Sequence, residues 1–405
     1  MIDKPDIVST TAGPAISRFR GYASPLLHHL LLFGDRFSRL GTFALSIYIG
    51  VMTLIVIAAW SYAIDSISFG FVTGFGFLAF ALADWLIIAA LPRRHRSFGP
   101  IGPGLIAFTF IRAVYTIIAA FINLSPLWTA TLVQISNLAL TGYFMDALWG
   151  EPFRLGVTRL TLKSSKLNGA PPLRVLHFSD LHIERTTIRE QKMLKLIDEL
   201  QPDVIVYTGD LLNFSYLEDA QARSDCQAIL KQIQAPLGVY AIPGTPLIDS
   251  PEVLKSIYTG LDHIQLLINE TQVIDGYPFV QLIGLSCTHD PSLDAIQFDR
   301  LRPEVPSEKF SLLLYHSPDL MPEAIEAKID LYLCGHTHGG QVRLPIIGAI
   351  ATSSIYGKRY EMGRYSQHNT TMYVSRGIGL EGKGAPRMRF LCPPEIELIE
   401  LRGEK

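Results

Sequence analysis

Four long apolar runs in the first 150 residues limit the fold more than any other feature of the sequence. The runs are Gly41–Ile64, Ser66–Pro92, Ile101–Asn123 and Pro126–Met145. Each reaches the roughly 20 residues that a helix needs to cross the hydrocarbon core of a bilayer. Residues 1–150 also contain no glutamate, which is unusual for a soluble helical domain. The sequence therefore predicts a four-span α-helical membrane domain at residues 41–149, rather than buried helices of a soluble core.

Basic residues alternate along this region and predict its orientation. From the N-terminal segment, through the three links, to the stretch after the last run, Lys and Arg number 5, 0, 3, 0 and 4. Basic residues accumulate on the cytoplasmic side, so the N-terminus and residues 151–405 are expected in the cytoplasm. Within the N-terminal segment 1–40, the stretch Gly21–Phe33 contains His28 and His29 and is too short to span. We expect it to form an interfacial helix without a metal role.

Two charged residues interrupt the apolar runs, Asp84 in the second and Arg112 in the third. Both lie roughly 12–16 Å from the cytoplasmic end of their helix, at 1.5 Å per residue. Opposite charges at matched depth predict an ion pair between the two helices. Two alternatives remain open: each charge lines a polar cavity alone, or the pair serves transport through the helices.

The overall charge and the cysteines exclude several classes of protein. A net charge of −2 gives no whole-chain attraction to nucleic acid, and we expect no nucleic-acid partner. The four cysteines form no CxxC pair, which argues against a zinc knuckle or a redox pair. Such sparse cysteine use favours a reducing compartment.

Residues 151–405 alternate between strand-like and helical patterns, which indicates an α/β domain. Residues 150–172 are a linker with an edge strand at Gly156–Leu162, and the break Asn168–Pro172 precedes the main domain at 173–405. The predicted strands are Leu173–Phe178, Asp203–Thr208, Gly238–Ile242, Phe279–Gly284, Phe310–Tyr315, Leu331–Cys334 and Met372–Ser375. The predicted helices are Arg189–Leu200, Tyr216–Ile233 and Ser317–Ala327.

Aspartate and histidine residues follow four of these strands. They are Asp180, His182, Asp210, His316, His336 and His338. Ligands of open α/β sheets collect at the carboxyl ends of strands, so we expect these side chains to converge. Carboxylate and imidazole together are the ligands of catalytic Zn, Mn and Fe sites. Glycines directly before Asp210 and His336 allow close approach of the backbone. The sequence therefore predicts a metal centre.

With these motifs in place, residues 155–400 resemble the calcineurin-like metallophosphoesterases. The resemblance rests on Asp-x-His, Gly-Asp, His-x-Pro-Asp, Gly-His-Thr-His-Gly-Gly-Gln and the closing Cys392-Pro393-Pro394-Glu395-Ile396. The chain is most similar to the membrane-attached bacterial branch, which includes UDP-diacylglucosamine pyrophosphatases and transmembrane phosphoesterases. The resemblance implies an α/β sandwich of two mixed sheets flanked by helices.

The resemblance also implies a binuclear centre of two divalent metal ions, Mn, Zn or Fe. Carried over by position, Asp180, His182, Asp210 and His338 would hold the first metal. Asp210 would bridge, and His316 and His336 would belong to the second metal.

One motif departs from the family pattern. Where the family has Gly-Asn-His followed by an acidic residue, this chain has Gly244-Thr245-Pro246-Leu247. The missing Asn would ligate the second metal, and the missing His would stabilise the transition state or protonate the leaving group. Thr245 offers only a hydroxyl, and Pro246 offers neither a proton nor a backbone N–H. The catalytic residue at this position is therefore unknown from the sequence.

Other side chains are candidates for the missing roles. Asp249 is a possible surrogate because it lies three residues beyond Pro246, and His263 and His289 are further candidates or structural residues. His177, inside a predicted strand, is expected in the core. Arg376 is a candidate for binding a substrate phosphate, with a structural loop role as the alternative.

The implied function is hydrolysis of a phosphate ester or pyrophosphate by a membrane-anchored enzyme. The substrate is expected to be a lipid-linked or nucleotide phosphate at the cytoplasmic membrane face. A phosphate or nucleotide leaves without protonation, whereas an alkoxide needs an acid, so the altered motif favours an anhydride. The alternative is a weakened or inactive metal-binding or sensing membrane protein.

Overall fold

The computed structural model describes residues 36–122, 124–382 and 384–404. The predicted interfacial helix at residues 21–33, with His28 and His29, lies outside the described residues. Within them, a helical region is followed by an α/β region, at the boundary that the composition predicts.

Four helices occupy the positions of the apolar runs. They are α1 (Thr42–Ile64), α2 (Ile67–Ala89), α3 (Ile101–Ala120) and α4 (Pro126–Met145). Among the described residues, α1, α2 and α3 are long and apolar enough to cross a membrane, by length and composition. α4 has 20 residues but is less apolar, with Gln134 and Asn137 near its centre. Of the four expected apolar spans, three are therefore found among the described residues, and α4 is not clearly a fourth. The three helices are consistent with a membrane protein.

Asp84 of α2 and Arg112 of α3 form the ion pair that the sequence predicts. Both side chains are buried, and Nε and Nη2 of Arg112 donate to the two carboxylate oxygens of Asp84 at 2.6 and 2.8 Å. Nη1 donates to both oxygens of Asn137 at 2.9 and 2.8 Å, and Nη2 donates to Thr141 Oγ1 at 2.7 Å. We call these four residues the bundle cluster. Each charge has a partner, so neither lines a cavity alone.

Two six-stranded mixed sheets form the α/β region. The first has the order β1 (Gly156–Lys163), β14 (Glu395–Arg402), β2 (Leu173–Phe178), β3 (Val204–Tyr207), β4 (Val239–Ala241) and β5 (Ile264–Leu266). The second has the order β12 (Gly363–Gln367), β13 (Thr370–Val374), β9 (Leu331–Cys334), β8 (Phe310–Leu314), β7 (Tyr277–Gly284) and β6 (Glu270–Ile274). A separate ribbon contains β10 (Arg343–Leu344) and β11 (Gly348–Ala349). Strands β2 to β5 are parallel, as are β7, β8, β9 and β13, so the carboxyl ends of each set share one edge.

The sheets pack face to face and are flanked by helices. Aliphatic side chains such as Val206, Leu312 and Ile399 fill the space between the sheets. The first sheet is covered by α5 (Ile188–Leu200), α6 (Ala220–Leu230) and α7 (Pro251–Tyr258). The second is covered by α8 (Pro291–Leu301) and α9 (Met321–Glu326). The predicted sandwich of two mixed sheets is confirmed, and β1 lies at the sheet edge as expected.

The α/β region packs against one end of the helix bundle. In the link between α2 and α3, the backbone N–H of Phe98 donates to Glu184 Oε2 at 2.6 Å. After α4, the Glu151 carboxylate accepts the backbone N–H of Leu391 at 2.9 Å. The link at residues 92–100 and the segment after α4 therefore contact the same α/β region.

Candidate metal centre

Loops at the carboxyl ends of four strands carry all six predicted ligands. Asp180 and His182 follow β2, Asp210 follows β3, His316 follows β8, and His336 and His338 follow β9. Every one of these residues except His316 has a positive φ, between 42° and 68°. Non-glycine residues rarely adopt this left-handed backbone, and its cost is found mostly at functional sites. Because the strands belong to both sheets, the six side chains meet between them.

Asp180, His182 and His338 form the first group. One ligand atom from each residue lies within 4.8 Å of the others, and all three side chains are buried. His338 Nε2 is 3.0 Å from His182 Nε2 and 3.5 Å from Asp180 Oδ1. Asp210 Oδ2 lies 3.7 Å from His182 Nε2, so its carboxylate borders this group.

Asp210, His316 and His336 form the second group, which has the same compactness and burial. His316 Nε2 lies 3.3 Å from Asp210 Oδ2, and the rings of His316 and His336 are 4.9 Å apart. The same Asp210 oxygen therefore faces both groups. The bridging role of Asp210 stays a prediction.

The ring nitrogens of these groups fit metal ions. His338 faces the first group through Nε2, and His336 Nε2 is buried without a hydrogen-bond partner among the described residues. Burial lowers the pKa of both imidazoles well below its usual value, which favours the neutral form that binds metals. His182 Nδ1 lies 2.9 Å from Glu381 Oε2, so its Nε2 faces His338 Nε2. Two imidazole nitrogens this close repel each other unless they share a proton or a metal ion.

The other two histidines lie in a strongly negative environment. Burial lowers the pKa of His182, but the carboxylates of Glu381, Asp210 and Asp180 together raise the pKa to about 9. Burial likewise opposes protonation of His316, while the Asp210 carboxylate raises its pKa to about 10. The carboxylates thus attract positive charge to these two nitrogens. A metal ion bound there must displace the protons, since only neutral imidazole ligates.

Two glycines allow the loops to approach each other. A Cβ on Gly335 would lie 2.1 Å from Asp180 Oδ2, and a Cβ on Gly209 would lie 2.3 Å from the Cα of Gly244. Real Cβ atoms do not come so close, so a side chain at either position would displace a loop of the centre. The close backbone approach expected before Asp210 and His336 is therefore present.

Thr245, at the altered motif, lies against the second group. Its backbone N–H donates to Asp210 Oδ1 at 2.6 Å, and its hydroxyl donates to Asp210 Oδ2 at 3.1 Å. The same hydroxyl is 3.4 Å from His316 Nε2. Pro246 is exposed. Thr245 thus orients the Asp210 carboxylate. The hydrogen bond from its backbone N–H does not depend on the side chain at position 245.

Asp249 holds the loops together rather than joining either group. Its Oδ2 accepts the backbone N–H groups of Asp210 and Gly244, each at 2.8 Å, and its Oδ1 accepts that of Leu211 at 3.0 Å. Burial and the neighbouring Asp210 carboxylate raise the pKa of Asp249 to about 6. Both oxygens are engaged with backbone, so its surrogate role stays a prediction without a supporting contact.

Of the two histidine candidates, only His289 lies at the centre. Its ring is 4.9 Å from that of His336, and its φ of 62° matches the left-handed backbone of the ligands. His263 Nε2 instead lies 3.3 Å from the carbonyl of Leu230, at the end of α6.

His177 and Arg376 have partners elsewhere. His177 Nδ1 lies 2.9 Å from Glu397 Oε2 in the core, as the sequence predicts. Arg376 Nη2 donates to Glu395 Oε2 at 2.6 Å, and the Arg376 side chain is about one-fifth exposed. Its phosphate-binding role stays a prediction, because the present partner is a carboxylate.

Glu381 is the site residue that sequence reasoning missed. Besides contacting His182, its backbone exchanges two hydrogen bonds of 3.0 and 3.1 Å with the side-chain amide of Gln341. A carboxylate on the second ring nitrogen of a ligand histidine fixes the ring orientation and increases its basicity. The only sequence signal was Gln341, which closes the Gly-His-Thr-His-Gly-Gly-Gln motif.

Comparison with known proteins agrees with this geometry. Residues 173–340 match the family model of the calcineurin-like phosphoesterases. The uncharacterized metallophosphoesterase YkuE of Bacillus subtilis is 31% identical over 270 residues, which cover 65% of this chain and 91% of YkuE. Phosphodiesterase YaeI of Escherichia coli is 28% identical, with 67% of this chain and 96% of YaeI covered. The UDP-2,3-diacylglucosamine pyrophosphatase LpxG of Chlamydia muridarum is 26% identical, with 61% of this chain and 89% of LpxG covered.

The family-model match spans the strands and loops that carry both groups of buried aspartate and histidine. Members of the family hydrolyse phosphate esters with a binuclear metal centre, and the two groups are candidate metal-binding groups. With 91% of YkuE covered at 31% identity, this chain belongs to the calcineurin-like metallophosphoesterase family.

Proposed function

We propose that the chain is a membrane-anchored, metal-dependent hydrolase whose substrate is a lipid-linked or nucleotide phosphate, with a pyrophosphate bond favoured over a simple ester. The observation that carries this proposal is the pair of buried Asp/His groups beside one end of an apolar helix bundle. The relative LpxG, named for a lipid-linked pyrophosphate, supports the same substrate class.

In this proposal, Asp180, His182, Asp210 and His338 hold the first ion, and Asp210, His316 and His336 hold the second. When bound, two divalent ions supply the positive charge that binds a phosphoryl group and activates water near neutral pH. The chain itself orients the ligands. Support for this comes from the carbonyl of Thr208, which lies 2.7 Å from His316 Nδ1 and directs Nε2 towards Asp210.

The altered motif supports the preference for an anhydride. The family histidine is absent, and the exposed Pro246 supplies no proton at its position. His289, beside His336, is the side chain best placed to compensate. We assign it a role at the second ion or near the leaving group. An anhydride releases a phosphate that needs little protonation, so it tolerates an imperfect acid better than a monoester does.

The helices α1 to α4 are proposed as four membrane spans at residues 41–149, with the linker at 150–172 leading to the phosphoesterase domain at 173–405. Although α4 is the least apolar, it exposes large side chains such as Leu127, Trp128 and Ile135, which suit lipid better than water. The link at 92–100 and the segment after α4 both contact the phosphoesterase domain. The basic residues of these two segments predict that both lie in the cytoplasm, which agrees with their contact with the same domain.

A substrate panel tests the activity. The full chain in lipid vesicles with Mn²⁺ is assayed on monoesters, diesters, cyclic nucleotides and lipid pyrophosphates, with Asp210→Ala as the control. We expect lipid pyrophosphates to be hydrolysed fastest and the Asp210→Ala variant to be inactive. If the parent protein hydrolyses these substrates no faster than the Asp210→Ala variant, the proposal is contradicted. The chain would then be a metal-binding protein without this activity.

A reporter fused after Lys405 tests the orientation. If the phosphoesterase domain is cytoplasmic, a reporter that is active only outside the cytoplasm stays silent. A strong signal from that fusion would overturn the topology while leaving the assignment of the metal centre intact.

A further inference from the structure

The ribbon of β10 and β11 carries an unusual concentration of exposed aliphatic side chains. Ile346 at its tip is fully exposed, and Leu344, Ile347 and Ile350 expose between 41% and 60% of their surface. Ile346 also has a φ of 70°, which is rare for a β-branched residue. We call residues 344–350 the apolar tip. A water-soluble surface does not normally collect four such side chains in seven residues.

The apolar tip is joined directly to the end of the helix bundle. Val342, at the base of the ribbon, forms a bridge with Phe390, and Arg343 N donates to the Phe390 carbonyl at 2.9 Å. The Phe390 ring in turn contacts the ring of Tyr143 near the end of α4, with 5.9 Å between centroids. Tyr143 and Leu391 are themselves about half exposed. The exposed apolar surface of the bundle therefore continues onto the phosphoesterase domain.

The same ribbon is fixed to the metal centre. A Cβ on Gly340, two residues after His338, would lie 2.5 Å from the Cβ of Ala349, so the ribbon packs tightly against this loop. Arg343 Nη1 donates to the carbonyl of Gly339 at 2.9 Å. The tip and the first ligand group are thus held in one short, rigid unit.

Exposed cations lie beside the tip. Lys358 Nζ donates to the carbonyl of Ile347 at 2.6 Å, and Arg359 is exposed next to it. The Glu361 carboxylate also lies against the ribbon, where it pairs with Arg343 at 2.8 Å. An apolar tip flanked by Lys358 and Arg359 suits the boundary of a bilayer, where apolar side chains meet acyl chains and cations meet anionic headgroups.

From this continuity we infer that the apolar tip inserts into the bilayer surface beside α4 and holds the metal centre at the level of the lipid headgroups. The inference rests on the proposed membrane-anchored function and deepens it. A substrate of this centre keeps its acyl chains in the bilayer and presents its phosphate to the His338 loop. The substrate class is a membrane-embedded lipid phosphate or pyrophosphate rather than a free nucleotide.

Spin-label accessibility measures the position of the tip independently of any activity. The four native cysteines are buried, so a nitroxide can be attached selectively to Ile346→Cys in the full chain in phosphatidylglycerol and phosphatidylethanolamine vesicles. Ile296→Cys on α8, which replaces a side chain that is 53% exposed, is the matched control. We expect the label at 346 to collide with oxygen and be shielded from a water-soluble nickel chelate, and the label at 296 to show the reverse. Nickel access that is equal at both sites would overturn the inference, as would short distances between 346 labels of two chains.

A rate ratio tests the consequence for substrate choice. Ile346→Glu should lower the rate on a vesicle-embedded lipid pyrophosphate, relative to that on a soluble phosphodiester, by about tenfold, because it replaces the aliphatic side chain that inserts into the bilayer with a charged one. Ile296→Glu should leave the ratio unchanged. An unchanged ratio for Ile346→Glu would refute the link to substrate. If the parent protein hydrolyses neither substrate while the label at 346 is in lipid, the proposed function fails and the insertion stands.

Discussion

Two clusters of buried charged side chains, the bundle cluster and the metal centre, are neutralised in different ways. In the bundle cluster, Arg112 donates to Asp84, Asn137 and Thr141, so the carboxylate and guanidinium satisfy each other. In the metal centre, aspartates and histidines face one another. The buried Arg389 nearby donates to the backbone carbonyls of Gly379 and Cys392 rather than to these carboxylates. Two buried histidine nitrogens there lack a hydrogen-bond partner among the residues that the structure describes.

This difference separates a structural cluster from a ligand site. A buried ion pair whose donors are all used has no capacity for a further cation. A cluster of carboxylates and imidazoles keeps lone pairs that a metal cation can satisfy once any protons on the imidazoles are displaced. The transport reading of Asp84 and Arg112 loses support for the same reason, because both charges are fully engaged within the bundle.

The largest effect is expected from Asp210→Ala, which removes the carboxylate that faces both groups. Both metal ions should be lost, and hydrolysis should fall by at least about 10²–10³-fold, the cost of removing one electrostatic group in an active site. Metal content per chain and steady-state rates measure this. Added Mn²⁺ should raise the melting temperature of the parent protein but not of the variant, since ligands stabilise only the state that binds them. A variant that still holds two ions per chain would show that Asp210 does not bridge.

The second prediction concerns the bundle cluster. Asp84→Asn or Arg112→Gln alone should lower the stability of the folded protein by about 3–5 kcal/mol, because each leaves a buried charge without its partner. The double substitution should recover part of this loss. Unfolding in detergent measures the three variants, and metal content, which should stay unchanged, is the control. Strictly additive losses would mean that the pair is not coupled.

The sequence predicted both clusters for reasons that are visible in particular residues. Asp84 and Arg112 could be paired because the rise per residue of a helix gives the depth of each residue from its position in the sequence. The six ligands could be grouped because the loops that follow parallel strands lie at one edge of the sheet. The helix predicted at Tyr216–Ile233 begins later, at Ala220, because Asp219 caps it by accepting the N–H of Ala222 at 2.9 Å.

Other parts of the site could not be predicted. The contact between Glu381 and His182 joins residues far apart in sequence, and no local pattern marks Glu381. Sequence could offer Asp249, His263 and His289 as surrogates but could not rank them, because loop packing decides which side chain reaches the centre. Strands β5, β6, β10, β11, β12 and β14 were not predicted either, and of these only β14 is both long and mostly buried.

The third prediction separates those surrogates. His289→Gln should weaken binding of the second metal ion by about 10–100-fold, the range found when a group that supports a metal site is removed. His263→Gln is the matched control and should leave binding unchanged, because His263 contacts the Leu230 carbonyl away from the centre. Titration of the metal-free protein with Mn²⁺ measures both. Equal affinities in the parent and in His289→Gln would limit His289 to a packing role.

The smallest effect is expected from restoring the family motif with Thr245→Asn and Pro246→His. Because His289 already lies beside the second group, the new side chains should raise monoester hydrolysis by only about tenfold, below the usual range for a general acid. Anhydride hydrolysis should change little, since its leaving group needs less protonation.

Replacing Pro246 also removes a fixed backbone angle, so the melting temperatures of the variant and the parent protein must be compared first. The backbone N–H of residue 245 can still donate to Asp210, which keeps the carboxylate oriented in the variant. An equal gain on both substrate classes would mean that the altered loop limits metal binding rather than proton transfer. The second group would then lack a metal ligand that the substitution supplies.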